Sequence, residues 1–471
     1  MSTSMTGLGV GGFSTTEEQV LNPSEYNPFA SVEYDQETEK SIPINIYPSS
    51  DQAGKQGIPF HFIVPADPNR YTNLRKIKLS GEYRVQKVSA TDSSRSNPTA
   101  EEDWSFINNH EQSLIDKVKC KINDQEINDP GSRTYPYKSY LQALLNYTTE
   151  FKKTRLVSSG WAEDEALKGS NEHKTFSPIE TTGEPAVPNK KYNEACAKRK
   201  IGANTGQWKE FNLLLHHDVI TSIRNLPPGY RIEFILERTE DSFLFLREET
   251  NTNVYTIEMR KTHLKMERRE VVDRVLKNYQ SQMNTKISVI PLTRNFVRSY
   301  PVVERATDLS FHNMINSDVL PETVIVGIVR QQAYDGSFDT NPFYFEWIEM
   351  NQASLIINSV HEPPEIIDTT IQSNKRGAVF DYFSDTLGFS QRDSICCSID
   401  EAKFYGGYHL LPFDLTPNKD NRAKRQKVGG GTLSINLRTK EPLKWNANVI
   451  VYLVYSSTIE ARGSEVFTRT F

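Results

Sequence analysis

The best candidate for a metal site in this sequence is the run His216-His217-Asp218. Imidazole nitrogens and carboxylate oxygens are common metal ligands. The run follows an alternating, strand-like segment, and successive side chains of a strand point to opposite faces, so the two histidines cannot easily bind one ion. A cupin-like site would prefer His-x-His, which is absent. We therefore interpret both as ordinary strand histidines and expect no bound metal.

Thiol and carboxylate chemistry have equally little support. Cys396 and Cys397 have only Arg392 close in sequence to lower a thiol pKa, so we expect unreactive thiols. Two groups of neighbouring acids, Glu101-Glu102-Asp103 and Glu248-Glu249, fit solvated turns better than the paired carboxylates of a glycosidase. The sequence therefore predicts a protein that is not an enzyme, with no catalytic residue, no cofactor and no metal.

Glycine-rich and basic runs are the remaining candidates for ligand binding. Gly7, Gly9 and Gly12 match a dinucleotide-binding spacing, but no strand precedes them, so a flexible arm is the better interpretation. Residues 429–431 are three glycines without the Lys-Ser/Thr of a phosphate loop, which indicates a turn. Basic runs lie at 198–200 and 419–427; the second fits a solvated loop before the glycine turn, although it could also be a nuclear-import signal or touch nucleic acid.

Charge and cysteine content exclude several classes of protein. The net charge of −5 and the pI near 6.1 are unlike those of a general nucleic-acid-binding protein. Four cysteines (120, 196, 396 and 397) with no CxxC pair are too few to crosslink a secreted chain of 471 residues. The sequence starts without a secretory signal, and no apolar run approaches the roughly 18 residues of a membrane span. We expect a protein that is made and kept on the cytosolic or nuclear side, with no membrane span.

Most of the chain alternates polar and apolar residues in short runs, which predicts strands. Residues 76–86 and 116–124 are clear examples, with one apolar face each: Ile77, Leu79, Tyr83 and Val85 in the first, and Val118, Cys120 and Ile122 in the second. Residues 1–56 show no sustained period and hold eight Asp and Glu against two Lys. We interpret 1–56 as an extended acidic N-terminal arm.

One segment, 134–154, has the period of an amphipathic helix instead, with Tyr137, Leu141, Leu144, Leu145 and Thr148 on one face. A loop insertion at 157–207 follows, which we expect to project from the protein. After residue 276 the same order restarts, with strand signals, a helical segment at 378–389 and further strands. We predict an all-β fold of two tandem eight-stranded antiparallel sandwiches, jelly roll 1 at 57–275 and jelly roll 2 at 276–471, each with a helical excursion that packs on a sheet flank.

The run LIDKVKCKINDQEI (114–127), followed by YPYKSYLQALLNYTTEFKKTRL (135–156), resembles the major capsid protein of Polinton/Maverick elements and the related adintoviruses. Members of that family have a similar strand, then Y-P-Y, K/R-x-Y-L, L-L-N/S-Y and a pair of lysines. The strand in GYRIEFILERTEDSFLF (229–245) is also similar to a strand of the family. The likeness covers roughly residues 114–286, and the C-terminal half matches by organisation more than by letters.

The resemblance implies a double jelly roll whose homotrimers are pseudo-hexagonal capsomers of an icosahedral shell. It also implies neighbouring capsomers and penton or minor capsid proteins as partners, packaged DNA as an indirect one, and the virion capsid as the location. Aromatic side chains are expected either in trimer interfaces or in the core of a domain; these are Tyr135, Tyr137, Phe343, Tyr344 and Phe345.

Other functions remain open at this point. A minor capsid or penton protein normally has a single jelly roll, whereas this chain is long enough for two. Tandem jelly rolls also occur in glycan-processing enzymes, which would need converging acids. A carbohydrate-binding protein without catalysis would need the five tryptophans to line a groove.

Overall fold

The computed structural model describes residues 37–50, 55, 57–89, 94–99, 102, 104–123, 125–128, 133–164, 194–201, 203, 205–223, 225–248, 251–369, 376–389, 398–417, 428–463 and 465–470. The glycines at 7, 9 and 12, the pair Cys396-Cys397, most of the loop insertion (165–193) and the basic run 419–427 lie outside these residues. None of the helices in the described ranges is both long and apolar enough to span a bilayer.

The described residues of the first half of the chain contain twelve strands. They are β1 (Thr38–Ile46), β2 (Phe60–Val64), β3 (Arg70–Val88), β4 (Arg95–Ser96), β5 (Trp104–Phe106), β6 (Ile115–Ile122), β7 (Gln125–Asn128), β8 (Lys209–Leu214), β9 (Asn225–Leu226), β10 (Ile232–Arg238), β11 (Phe245–Arg247) and β12 (Val254–Val271). One sheet has the order β1-β12-β3-β8, and the other has the order β2-β10-β6-β7. The short strands β4 and β9 extend the first sheet along β3, and β5 pairs with β11.

Nine strands form the second half. They are β13 (Ser288–Val302), β14 (Phe311–Ser317), β15 (Thr323–Arg330), β16 (Met350–Ile357), β17 (Val360–Ile367), β18 (Leu410–Asp414), β19 (Gly431–Thr439), β20 (Ala447–Arg462) and β21 (Glu465–Thr470). One sheet has the order β13-β20-β15-β18, with β21 as a hairpin partner of β20, and the other has the order β14-β19-β16-β17.

The two halves share one topology. When the eight principal strands of each half are numbered along the chain, both halves have one sheet of order 1-8-3-6 and one of order 2-7-4-5, with antiparallel neighbours throughout. Two antiparallel sheets connected in this way make a jelly roll. The predicted all-β double jelly roll is therefore confirmed.

The alternation read from the sequence explains why these segments pair as they do. In β6, Val118, Cys120 and Ile122 are buried while the lysines between them are only partly covered. A strand with one apolar face gains free energy by covering that face with a second sheet. The apolar residues of both jelly rolls merge into one continuous buried core.

The N-terminal arm is shorter than the sequence predicts. Strand β1 lies inside 1–56 and is the first strand of jelly roll 1, paired with β12. One side of β1 is partly buried and consists of Ile42, Ile44 and Ile46. This alternation is hard to recognise in the sequence because it is short and is interrupted by polar residues and Pro43. Proline is compatible with the position because β1 is an edge strand, where one row of N–H groups needs no partner.

Ten helices lie in the described ranges, between or after the strands. They are α1 (His110–Ser113), α2 (Thr134–Asn146), α3 (Thr149–Thr154), α4 (Glu194–Lys200), α5 (Asp218–Ser222), α6 (Asp241–Leu244), α7 (Asp273–Gln282), α8 (Gln331–Asp335), α9 (Arg376–Thr386) and α10 (Glu401–Tyr405). Helices α2 and α9 occupy corresponding places, between the fifth and sixth strands of their jelly rolls. The domain boundary predicted after residue 275 falls inside α7, which is polar and mostly exposed.

The helix predicted over 134–154 is in fact two helices. Tyr147 is extended between them, and the backbone N–H of Phe151 donates to Thr148 Oγ1 (3.2 Å), which caps the start of α3. A threonine at this position stabilises a new helix start because its side chain satisfies an otherwise unpaired N–H. The second predicted helix, 378–389, is observed at Arg376–Thr386.

The insertion 157–207 is anchored at both ends rather than irregular throughout. Residues Leu156–Ser159 form a 3₁₀ helix, and α4 lies near the other end. Trp161 and Arg199 are buried. The projection that the sequence predicts for the middle of the insertion lies outside the described residues.

Candidate functional site: the seam between the two jelly rolls

Helix α2 lies between the jelly rolls, where it packs against β6 of the first and β13 of the second. We call this boundary the seam. The sequence predicts an amphipathic helix, but all residues from Thr134 to Leu145 are buried, including Lys138 and Gln142. The polar face of the helix is covered because the second jelly roll packs on it, which a helical period alone cannot reveal. Pro136 is tolerated in the first turn, where its missing N–H has no intrahelical partner.

An aromatic cluster from both jelly rolls fills the seam. The ring of Tyr140 stacks on Phe343 at 4.1 Å, and Tyr137 stacks on Tyr334 at 5.9 Å. The hydroxyl of Tyr137 donates to the carbonyl of Pro342 (3.0 Å). Buried aromatic pairs contribute about 0.5–1.5 kcal/mol beyond their area. The cluster therefore holds the two jelly rolls together and fixes their contact.

The five aromatics considered for trimer interfaces are all buried within the chain. Tyr137, Phe343 and Phe345 belong to the seam cluster. Tyr135 donates through its hydroxyl to Gln112 Oε1 (2.7 Å), and Tyr344 is 5% exposed. Of the two alternatives that the sequence leaves open for these aromatics, the structure shows burial within the chain for all five.

A buried ion pair of jelly roll 1 lies at the seam, next to the aromatic cluster, and is hydrogen-bonded to jelly roll 2. Lys138 Nζ of α2 lies 2.9 Å from Asp218 Oδ1, and their side chains are 1% and 3% exposed. The backbone N–H and the side-chain amide of Asn295, on β13, each donate to Asp218 at 3.1 Å. A buried charge is tolerated when a counter-ion and hydrogen bonds satisfy it. Asp218 therefore links α2 to the second jelly roll.

A second polar cluster lies at the base of the loop insertion. Arg199, fully buried, donates to Asp164 Oδ1 (2.8 Å) and to the carbonyl oxygens of Phe106 and Ala162. Asp164 also accepts from Asn341 of the second jelly roll (3.1 Å). The insertion is thus fixed to both domains by hydrogen bonds that a solvated loop would not make.

Glu163 extends this polar cluster towards α10. Its carboxylate lies 3.0 Å from Lys403 Nζ and accepts from the hydroxyl of Ser398. Burial acts to raise the pKa of Glu163, but Lys403, Ser398 and Lys152 outweigh it and lower the pKa. The residue is therefore an anion that joins the insertion of jelly roll 1 to the corresponding connection of jelly roll 2.

Two cavities border the seam. One, of about 640 Å³, is lined by residues of both jelly rolls, among them Gln142, Asn295 and Tyr452. The other, of about 1030 Å³, lies next to Trp161 and Lys403. Both are lined by polar and apolar residues, and the second contains the hydrogen-bonded group of Ser398, Glu163 and Lys403.

The sequence predicts that the histidine pair lies on a strand, and this is wrong. The structure places His216 and His217 in the segment just before α5. His216 contacts the hydroxyl of Tyr147 through Nε2 (3.0 Å), and His217 contacts the carbonyl of Ile127 through Nε2 (3.1 Å). Burial, followed by the charge of Lys138, lowers the pKa of both to about 4. Within the residues that the structure describes, no three His, Cys, Asp or Glu side chains are grouped so as to hold a metal ion.

The described cysteines and acids fit structural roles. Cys120 and Cys196 are buried thiols, and burial raises the pKa of Cys196 to about 11. Glu102 is not a solvated turn residue, as predicted, since it lies 2.7 Å from Lys87 Nζ and accepts from the hydroxyl of Tyr255 (2.8 Å). Glu101, Asp103 and Glu249 lie outside the described residues.

Sequence reasoning missed the buried acid Glu111 on α1. Its carboxylate is fully buried, 3.2 Å from Lys209 Nζ and near the hydroxyl of Tyr83. Burial raises its pKa to about 7, although Lys209 acts in the opposite direction. The segment Asn108–Ser113 is polar throughout and reads as a surface loop, so no pattern in the sequence indicates that it is buried.

The five tryptophans have separate environments. Their nearest ring or cation neighbours are Tyr255 for Trp104, Tyr140 for Trp161, Arg260 for Trp208, Tyr405 for Trp347 and Arg330 for Trp445. This arrangement differs from the single aromatic groove that a carbohydrate-binding protein would need.

Comparison with known proteins identifies the same fold in viral structures. A chain of the Sputnik virophage, solved by cryo-EM, aligns over 100% of this chain and 95% of its own length, with a TM-score of 0.57 and 12% identity. The mavirus major capsid protein aligns over 100% and 97%, with a TM-score of 0.52 and 9% identity. The Faustovirus major capsid protein aligns over 94% and 92%, with a TM-score of 0.50 and 8% identity.

Sequence comparison adds one relative. An uncharacterised Caenorhabditis elegans protein is 22% identical over 390 residues, which cover 81% of this chain and 86% of that protein. No protein-family model matches the chain. At these identities the viral structures establish the double jelly-roll fold.

Proposed function

We propose that this chain is a major capsid protein that assembles as a homotrimer, and that the trimers are the pseudo-hexagonal capsomers of an icosahedral, virus-like shell around DNA. The observation that carries the proposal is the seam. Two jelly rolls of identical strand order are joined by a helix, an aromatic cluster, the hydrogen bonds of Asn295 to Asp218, and the ion pair of Glu163 with Lys403. Such a chain presents two similar lobes in one fixed relation.

Geometry connects this pair of lobes to a shell. Three copies around a threefold axis present six similar lobes, which is a hexagonal outline that can tile a surface with six neighbours. Closed cyclic symmetry lets one interface serve all three subunits. With a flexible link, the relative position of the two lobes would differ from copy to copy, whereas the contacts of the seam keep it the same in every copy.

The sequence resemblance narrows the proposal to the Polinton/Maverick and adintovirus group. The run 135–156 that carries the resemblance forms α2, α3 and the start of the 3₁₀ helix, so it includes the helix at the centre of the seam. Neighbouring capsomers and penton or minor capsid proteins would be the partners, with DNA contacted only indirectly. The protein would be synthesised in the host cytoplasm and reside in the virion capsid.

Size and shape in solution test the proposal. We expect purified full-length protein to have three times its chain mass of 53.8 kDa in light scattering after gel filtration, and to form hexagonal tiles or closed particles in negative-stain images. A monodisperse monomer that binds glycans would contradict it and favour the carbohydrate-binding alternative.

A further inference from the structure

A cluster of cations lies on the outer face of the sheet β1-β12-β3-β8. We call it the cationic face, and its members are Lys76, Lys78, Arg155 and Lys265. Lys78 and Lys265 are directly opposite each other on the antiparallel strands β3 and β12. Like charges at directly opposite positions destabilise a sheet. Lys76, Arg155 and Lys265 are exposed and Lys78 is half-buried, so the cluster is open to a partner.

Acidic side chains of the same strands are hydrogen-bonded mainly to residues outside this face, although the positive charge of Lys76 also acts on Glu267. Glu267 accepts from Asn73 (3.0 Å) and Arg269 (3.2 Å), and Glu82 accepts from Arg260 and Lys261. Within the described part of the chain, no ion pair involves any of the four cations of the face. Burial and then the charges of Arg155, Lys76 and Lys265 lower the pKa of Lys78, which shows that the four act on one another.

The cationic face also has a shape that can receive a chain. A shallow depression of about 380 Å³ borders it, and Arg155, Lys261, His263 and Lys265 line one part of this depression. Ser80, Ser158 and Asn212 supply polar groups in the remainder, which also contains the carboxylates of Glu82 and Glu210. Glu82 is already paired with Arg260 and Lys261. An extended anionic segment could therefore make both ionic and hydrogen-bonded contacts there.

The chain itself carries a segment of the opposite charge. Residues 1–36 contain five acids and no Lys, Arg or His; the acids are Glu17, Glu18, Glu25, Glu33 and Asp35. The rest of the protein is close to neutral, so this is the main block of uncompensated charge in the sequence. Opposite charges attract over roughly a Debye length of 8–10 Å at physiological salt.

The position of β1 directs the N-terminal segment away from the cationic face of its own chain. The N–H of Val272 donates to the carbonyl of Glu37 (3.0 Å), so the chain is still aligned with the end of β12 at that point. Lys265 pairs with Asn45, eight residues later, which is roughly 26 Å along the strand. Towards its N-terminus β1 therefore runs away from its own cationic face. Thirty-six residues can span at most about 120–130 Å, enough to reach an adjacent copy.

We propose that residues 1–36 of one copy bind the cationic face of a neighbouring copy. This inference rests on the proposed function, because it requires copies held side by side. In the assembly, each subunit binds its own acidic segment to one neighbour and binds the acidic segment of another neighbour on its cationic face. These contacts add to those between the jelly rolls of different subunits. The like-charge pair of Lys78 and Lys265 is maintained because assembly supplies its counter-ions.

Crosslinking of the assembled full-length protein tests the proposal. Equal amounts of ¹⁴N- and ¹⁵N-labelled chains are mixed before assembly and treated with a carbodiimide, which joins carboxylates directly to amines. We expect links between acids of 1–36 and Lys76, Lys78 or Lys265 in peptide pairs of mixed isotope. Lys277 is the matched control, because it is 75% exposed but lies on α7, away from this face.

Charge reversal supplies a second measurement. We expect Lys78→Glu/Lys265→Glu to lose the mixed-isotope links and to dissociate at lower salt than the wild type, while Lys277→Glu behaves as the wild type. Adding Glu17→Lys/Glu18→Lys/Glu25→Lys to the reversed variant should restore both properties. Circular dichroism of each variant separates loss of folding from loss of docking.

Several outcomes would overturn the proposal while leaving the capsid function intact. These are normal assembly of the reversed variant, links in same-isotope pairs alone, or trimers whose cationic face crosslinks to packaged nucleic acid instead. A monomeric protein without intermolecular links would overturn both the docking and the capsid function.

Discussion

Charged side chains are buried at the seam, and substitutions of these residues are expected to lower the stability of the protein. Lys138 and Asp218 are buried ions that satisfy each other and Asn295, whereas Lys277 and Asp273 form an exposed pair 3.2 Å apart on α7. Removing one partner of a buried pair leaves the other charge without its counter-ion. The two pairs therefore have similar chemistry but different expected energies.

We predict that Lys138→Met lowers the free energy of unfolding by about 3–5 kcal/mol, because Asp218 remains buried and only partly satisfied. Lys277→Met is the matched control and should cost about 0.5 kcal/mol or less, since its pair is solvated. Urea denaturation of both variants measures the difference. Equal effects of the two substitutions would show that burial does not determine the energy of the Lys138 pair.

Glu111 makes stability depend on pH. Its pKa is about 7 in the folded protein and near 4.5 when unfolded, so the folded state holds the proton more tightly. Its contribution to stability is present in full below pH 4.5 and is lost as the pH rises through 7. At one pKa unit per 1.4 kcal/mol, the loss is about 3 kcal/mol at most.

We predict that Glu111→Gln removes this loss, so that the free energy of unfolding of the variant falls less than that of the wild type between pH 6 and pH 8. The buried histidines do not interfere in the upper part of this window. His216 and His217 have lowered pKa values near 4, so their contribution is present above pH 6.5 and is lost as the pH falls towards 4. Parallel pH profiles of wild type and variant would contradict the assignment.

Among the secondary structure elements, the 3₁₀ helix Leu156–Ser159 depends on the glycine that ends it. Gly160 has a φ of 78°, and a Cβ there would lie 2.2 Å from Cε1 of His110. Gly229 also has a positive φ, 93°, but nothing lies within 4 Å of its Cβ position. Alanine at Gly229 would introduce backbone strain alone, whereas alanine at Gly160 would introduce backbone strain and a steric clash with His110.

We predict that Gly229→Ala costs about 1–2 kcal/mol, the penalty of a left-handed backbone for a residue with a Cβ. Gly160→Ala should cost more, because the buried ring of His110 must also move. Thermal or urea unfolding of the two variants tests this order. If Gly160→Ala is no worse than Gly229→Ala, the packing of His110 against the glycine does not contribute to stability.

For the whole molecule, the decisive property is the coupling of the two jelly rolls. Tyr140 on α2 and Phe343 before β16 stack at 4.1 Å and belong to different jelly rolls. Residues in direct contact give non-additive changes in stability, and the size of the deviation measures the contact.

A double-mutant cycle on Tyr140→Ala and Phe343→Ala should give a coupling energy of about 0.5–1.5 kcal/mol. A matched cycle on Tyr140→Ala and Phe311→Ala should be additive, because Phe311 packs against Tyr300 instead. Urea denaturation supplies all the free energies. Additivity in the first cycle would mean that the aromatic cluster does not connect the jelly rolls, which would also weaken the argument for a fixed pair of lobes.

The fold class could be predicted from the sequence because strand alternation and the repeated order of elements are local patterns. Val118, Cys120 and Ile122 point into the core as their spacing predicts, and helix α2 begins at Thr134, the first residue of the predicted helix. Local patterns did not predict elements whose residues are mostly polar although the element packs against the core. Examples are β1, which contains Pro43, and α1, which contains the buried Glu111.

The tertiary structure alone decided what covers each element. The period of α2 indicates one apolar face, yet the helix is buried on all sides because β13, more than 140 residues later, packs on the other side. Asp218 and Asn295 acquire their roles in the same way: the sequence indicates Asp218 only as a metal-ligand candidate, and its contact with Asn295 joins residues 77 positions apart. Hydrogen bonds and ring contacts between residues far apart in the chain depend on how the sheets of the two jelly rolls pack against each other. A pattern along the sequence does not contain the distances between such residues.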